Sequence, residues 1–245
     1  MPDKRKHRGP HPNDAKLFAP KWHDALRTAV AHQSLLLTMG YAPTAALKLV
    51  GDRFRLTERQ RRVVRAASCS DQQLERRSDG EVFPDDLAGD TVYVDGFNQL
   101  ITLESALSNG FLFRGRDGMI RDLASVHGTY RRVEETDAAL QLMGDFFAKA
   151  RAKRMVFYLD HPVSNSGRLK TRMLELARAR SWNWEVELHY NPDQELLSPP
   201  ASEGIICSAD ALVLDGAKSW FHLMDPMLKN VAVERLIDLS TPPNN

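Results

Sequence analysis

Thr91-Val92-Tyr93-Val94-Asp95 is the stretch on which the fold turns. Four β-favouring residues closing on a carboxylate make a short strand, and residues 98–107 (NQLITLESAL) continue from it as a helix. The pairing recurs downstream. Residues 155–159 form a second strand that closes on Asp160. An amphipathic helix precedes it over 136–152, and another follows over 167–180 with Leu169, Met173, Leu176 and Ala177 inward. A third strand, around Trp184–His189, leads to Asn191-Pro192-Asp193, and a fourth, Ile205-Ile206-Cys207, leads to Ser208-Ala209-Asp210. Between the first two strands, residues 111–120 (FLFRGRDGMI) read as a hairpin turning across 115–118. Strands alternating with helices predict an α/β fold, a mainly parallel sheet flanked by helices on both faces.

Upstream the pattern changes to helices alone. Leu26, Ala29, Val30, Leu36 and Leu37 keep helical spacing over 22–39, and Gly40 stops the run. A second helix opens on Pro43 and ends at Gly51, and Thr57-Glu58-Arg59-Gln60 is a capping box for a third. That third helix carries Arg59, Arg61, Arg62 and Arg65 opposite Val63, Val64 and Ala67. The connector between the second and third is too long for a helix-turn-helix. Residues 78–90 (SDGEVFPDDLAGD) are acidic and turn-rich, a linker by composition. The chain therefore divides into a small all-α domain over 1–77, a linker over 78–90 and an α/β domain over 91–245.

Charge follows the same division. The 245 residues carry a net charge of +1, which by itself speaks against a basic nucleic-acid binder. Residues 1–65, however, hold 14 Lys and Arg against 5 Asp and Glu, and the rest hold 19 against 27. A basic module (+9) thus precedes an acidic one (−8), and the near-neutral total no longer counts against nucleic acid. With 42% hydrophobic and 27% charged residues the composition is that of a globular chain. Its length suffices to bury roughly 70–75% of the unfolded surface without staples. No apolar run approaches the ~20 residues of a membrane span, and the charged, Pro-rich N-terminus lacks a signal-peptide core, so no membrane partner is expected. Two cysteines without CxxC spacing point to a reducing cytoplasm.

Asp95, Asp160, Asp193 and Asp210 all fall at or just past strand ends, where open α/β sheets place their sites. Four converging carboxylates raise one another's pKa and stay ionised only with a cation between them. Hard oxygen ligands suit Mg²⁺ or Mn²⁺, the usual apparatus for cutting phosphodiesters. Taken singly each acid has a plainer reading: Asp95-Gly96 as a turn, Asp193 or Asp210 as a helix cap. The set is what points to a shared site. Carboxylates of Asp95, Asp160 and Asp210 within about 5–6 Å of one another would favour an enzyme.

Val92-Tyr93-Val94-Asp95-Gly96-Phe97-Asn98 resembles the opening strand of the PIN-like nuclease superfamily, in its NYN and YacP-like branches. Residues 156–160 resemble the next acidic strand of that superfamily, and Ile206-Cys207-Ser208-Ala209-Asp210 its late Ser/Thr…Asp signature. The likeness covers roughly 91–220. It implies Asp95, Asp160 and Asp210 as metal ligands, with Asn98 and Ser208 orienting ligands or water. Ala209 departs from it, standing where relatives place the Asp directly after Ser. The family's remaining acid has two candidates: Asp193 by the YacP-like order, which we prefer, and Asp137 by the classical PIN order. The N-terminal half also resembles a family of uncharacterised domains joined to PIN-like domains, through Gly51-Asp52-Arg53 and Leu56-Thr57-x-x-Gln60-Arg61.

Arg59, Arg62 and Arg65 are candidate phosphate contacts, as are Arg168, Lys170 and Arg172 on the helix after Asp160; both sets also read as ordinary solvated faces. His161 reads as an exposed turn residue, Trp182 and Trp184 as core, Arg121 and Asp122 as a surface pair, and Cys207 as inert core. Two functions follow. One is a metal-dependent ribonuclease in which the basic helices hold RNA, single-stranded or structured. The other is a catalytically inactive PIN-like RNA- or DNA-binding or scaffold protein. The oligomeric state stays open, a homodimer included.

Overall fold

A computed structural model describes residues 7–124, 128–229, 231 and 233–242. The chain opens with helices α1 (Asp14–Leu17), α2 (His23–Thr38), α3 (Pro43–Arg53), α4 (Glu58–Ala67) and α5 (Asp71–Gly80). Pro43 is at the start of α3, where its missing N–H costs nothing. Capping boxes start α4 and α5. The Thr57 and Ser70 hydroxyls accept from the N–H of Gln60 and Gln73, whose side chains bond back to the cap N–H groups. Helix α5 has no counterpart among the sequence expectations, because DQQLERRSDG carries no apolar stripe.

Residues 78–90, read as a linker, carry structure. They hold the end of α5, strand β1 (Glu81–Val82) and a 3-10 turn at Pro84–Leu87. Then come β2 (Thr91–Asp95), α6 (Gly96–Leu107), β3 (Leu112–Arg114), β4 (Ile120–Asp122) and α7 (Thr136–Lys149). β5 (Arg154–Asp160), α8 (Ser166–Arg180), β6 (Trp184–His189) and α9 (Pro192–Leu196) follow. The chain continues through β7 (Ile205–Cys207), α10 (Ala211–Gly216), β8 (Trp220–Phe221), α11 (Met224–Leu228) and β9 (Leu236–Asp238).

Six strands form an all-parallel sheet in the order β1-β8-β7-β2-β5-β6. Both faces are covered, so the middle of the central strand β2, Val92-Tyr93-Val94, is apolar and buried. Val92 and Val94 pack with Leu100, Phe147 and Met173 from α6, α7 and α8, while Tyr93 packs with Leu196, Val213 and Leu214 from the α9 and α10 side. From β2 the chain steps outward to β5 and β6, then returns to β7 on the other flank and steps out to β8. The crevice at the carboxyl ends of β2 and β7 is therefore the topological switch point.

β3 pairs antiparallel with β4, forming the expected hairpin, and parallel with β9. This small sheet joins the two regions of the chain: Phe113, Leu123, Ile237 and Leu239 share one core with Phe18, Leu26, Val30, Val63 and Val64. Among the described residues no helix is long and apolar enough to cross a membrane.

Candidate active site

Register assembles the first part of the site. Val94 pairs with Cys207, which brings the next residues, Asp95 and Ser208, side by side on adjacent parallel strands. The Ser208 hydroxyl donates to Asp95 Oδ2 at 2.8 Å, and the Asn98 N–H donates to Oδ1 at 3.4 Å, so Asp95 also caps α6. Gly96 is required by close approach: a Cβ there would lie 2.9 Å from the Tyr158 carbonyl oxygen and 2.5 Å from Leu159 Cδ2. Asn98 Oδ1 accepts from the Ala209 N–H at 2.9 Å, and Arg121 Nε donates to the Ala209 carbonyl at 2.8 Å. The extra residue between Ser208 and Asp210 is thus held from both sides. Asp210 then caps α10, its Oδ1 accepting from Leu212 N at 2.8 Å and Val213 N at 3.3 Å, while its own N–H donates to Ser208 Oγ at 3.0 Å.

The other two acids approach from the opposite flank. Asp95 pairs with Tyr158, so Asp160 lies two residues further along β5, about 7 Å beyond at strand rise. Asn191 caps α9, leaving the Asp193 carboxylate outside the cap, and α9 packs against β2, β5, β6 and α10. The acids influence one another there. Burial pushes the Asp95 carboxyl up to about 7, against the Ser208 hydrogen bond, and the charges of Asp193 and Asp210 push it the same way. Asp193 is raised by burial and then by Asp210 and Asp160; Asp160 is raised by burial.

None of the four is ion-paired to a Lys or Arg among the described residues. Also among the described residues, no three His, Cys, Asp or Glu side chains stand close enough together to hold a metal ion. The expected convergence of Asp95, Asp160 and Asp210 into one ligand set is therefore not met; the four acids suit Mg²⁺ or Mn²⁺ in kind only, as oxygen donors at one end of the sheet, with the charge of Arg121 felt at Asp210.

Asp137 is engaged elsewhere, bound by Arg172 at 2.7 and 3.1 Å and by Arg132 at 3.3 Å, which hold its carboxyl below the usual range. Arg172 is consequently spent on Asp137, and Arg59 is spent on buried Asp14, which it grips with two nitrogens. The side chains of Arg62, Arg65, Arg168 and Lys170 form no hydrogen bond or ion pair among the described residues. Arg121 and Asp122 are not a surface pair, since successive strand residues point to opposite faces. Arg121 binds Asp117, whereas Asp122 accepts from the Thr102 hydroxyl at 2.7 Å and is pushed up to about 6 by burial. Trp184 is buried and stacks on Trp182, and burial pushes the Cys207 thiol up.

Two features had no sequence signal. Arg77, 2% exposed, bridges Asp117 and Asp215 and donates to the Ala211 carbonyl at 3.3 Å, so a buried charge network underlies the 209–211 loop. Its partners are distant in sequence and individually ordinary. Tyr190 stands 78% exposed just past β6, its ring tilted 33° to that of His161 at 4.6 Å, beside Asp160.

Residues 84–226 match the model of a family described as a domain of unknown function (DUF5616). Residues 25–79 match that of a protein of unknown function (DUF434). An uncharacterized protein of Methanocaldococcus jannaschii is 28% identical over 179 residues, covering 73% of this chain and 84% of its own. No solved structure matches.

Proposed function

We propose, from the premise that the chain belongs to the family described as a domain of unknown function (DUF5616), that it is a metal-dependent ribonuclease of PIN-like type. The reading rests on one observation: Asp95, Asp193 and Asp210, with Asp160 further along β5, lie at the carboxyl end of a parallel sheet near its switch point without an ion pair to Lys or Arg among the described residues, and Asp95 is buried and raised to about 7. A divalent cation held by Asp95, Asp160, Asp193 and Asp210 would supply activated water and charge stabilisation for phosphodiester hydrolysis. Ser208 fixes the orientation of Asp95 through its hydroxyl, and Asn98 holds the 208–210 loop in place. Arg168 and Lys170, unpaired at the start of α8, provide charge for the RNA backbone. The exposed Tyr190–His161 pair offers a face on which a base can stack. A cytoplasmic setting belongs to the same proposal, in keeping with two buried free thiols, Cys69 and Cys207.

The test is cleavage of labelled single-stranded RNA by the full chain with Mn²⁺. Asp95→Asn and Asp210→Asn are expected to lose turnover while keeping circular dichroism and RNA binding; cleavage persisting in both variants overturns the proposal. A second reading, nucleic-acid binding or scaffolding without catalysis, is favoured by the unclosed ligand set. It expects salt-sensitive binding through Arg62 and Arg65 and no turnover with any metal.

A further inference from the structure

We propose that a cleft between the N-terminal arm, α4 and the carboxyl half of α6 binds a phosphate group, at a site separate from the acids of the sheet. The cleft has a volume of about 250 Å³, and its charged lining is one-sided: Arg8, Arg59, Arg62 and Arg131 against Asp14. Two of these cations are already satisfied and build the walls. Arg59 holds Asp14 with two nitrogens, and Arg8 holds buried Glu104 at 2.7 Å, which also accepts from the Tyr130 and Thr136 hydroxyls. Arg62 and Arg131 have no side-chain hydrogen bond or ion pair among the described residues. Two uncompensated guanidiniums in one cleft call for an anion.

Ser105 supplies an independent observation. It lines the same cleft, is 3% exposed, and its hydroxyl has no hydrogen-bond partner. Buried hydroxyls without partners are uncommon, and Ser105 belongs to the wall of this cleft. A guanidinium presents paired N–H donors that match two oxygens of one phosphate, and a hydroxyl donates to a third. A phosphate monoester fits this set better than a carboxylate, which offers only two oxygens.

Helix α6 connects the cleft to the acids. Asn98 and Ser105 are seven residues apart on one face, about 10 Å along the axis. A phosphate in the cleft and a phosphodiester at the acids can therefore belong to one short strand. The same chemistry is also offered by a free phosphorylated small molecule.

Calorimetric titration of the full chain with inorganic phosphate tests the site without requiring turnover. Saturable binding is expected, weakened about 10-fold or more in Arg62→Gln and in Arg131→Gln and unchanged in Arg178→Gln, in the last turn of α8 and outside the cleft. No saturable binding, or an equal loss in Arg178→Gln, overturns the assignment. Asp95→Asn leaves the phosphate titration unchanged, so failure of the cleft and failure of the nuclease reading are told apart. Terminally phosphorylated RNA is compared with the same unphosphorylated oligomer. A preference that Arg62→Gln abolishes supports the site with an RNA end as its ligand. Equal RNA binding alongside cleft-dependent phosphate binding supports it with a small-molecule ligand.

Discussion

Asp95 would titrate near 3.8 in an unfolded chain and is raised to about 7 in the native one. Between those values the folded state keeps a proton that the unfolded state has released. Stability therefore falls as pH rises from about 4 to 7, and the full penalty persists above 7. At 1.36 kcal/mol per unit the penalty is on the order of 4 kcal/mol. Asp95→Asn keeps an acceptor for Ser208 and a cap for α6 but removes the charge. It is expected to melt higher than the wild type at pH 8, by roughly 2–4 °C per kcal/mol recovered, with a smaller gap at pH 5. Mn²⁺ should raise the wild-type midpoint at pH 8 and leave the variant unmoved, because only the wild type gains by neutralising that carboxylate. Equal melting of the two proteins at pH 8 would remove the burial argument. The strand-end position of this residue is legible in TVYVDG, but its burial is not, since the cover comes from residues such as Ser208, more than a hundred positions away.

At the scale of elements, the sequence was readable wherever local chemistry is repetitive. The spacing of Leu26, Ala29 and Val30 marked α2, the Thr57–Gln60 box marked α4, and β-rich runs marked β2, β5, β6 and β7. It was unreadable where elements are short or polar. β1 and β8 have two residues each and exist through pairing, β1 with β8 and β8 with β7. α5 buries Arg77, a residue whose inward placement depends on Asp117 and Asp215. Breaking a buried pair costs about 3–5 kcal/mol, and loss of Arg77 leaves Asp215 without its cation while Asp117 keeps Arg121. Arg77→Met is therefore expected to lower the unfolding free energy, measured by urea titration, by about 3 kcal/mol. Since Arg77 also holds the Ala211 carbonyl, the variant should lose Mn²⁺-dependent cleavage at temperatures where it remains folded. A loss below about 1 kcal/mol would show the network to be dispensable.

Across the whole molecule, the division into a basic and an acidic part describes charge but not packing. Phe113, Leu123, Ile237 and Leu239 of the α/β region share a core with α2 and α4, and β1 enters the main sheet ahead of residue 91. Residues 91–245 produced alone would expose that apolar face and lose an edge strand. The full chain should unfold in one calorimetric transition, whereas the fragment should bind a hydrophobic dye and melt without a sharp transition. A fragment that melts cooperatively would contradict the shared core.

By itself the sequence determined that helices come first, that strands and helices then alternate, and that Asp95, Asp160 and Asp210 stand at strand ends. Those are local matters of apolar spacing, capping and turn residues. Only the tertiary structure decided which groups meet: Asp193 beside the other acids while Asp137 is bound to Arg172, and Arg62 free while Arg59 is bound to Asp14. Strand order and helix packing, acting between residues far apart in the chain, set those partnerships, and no local pattern encodes them.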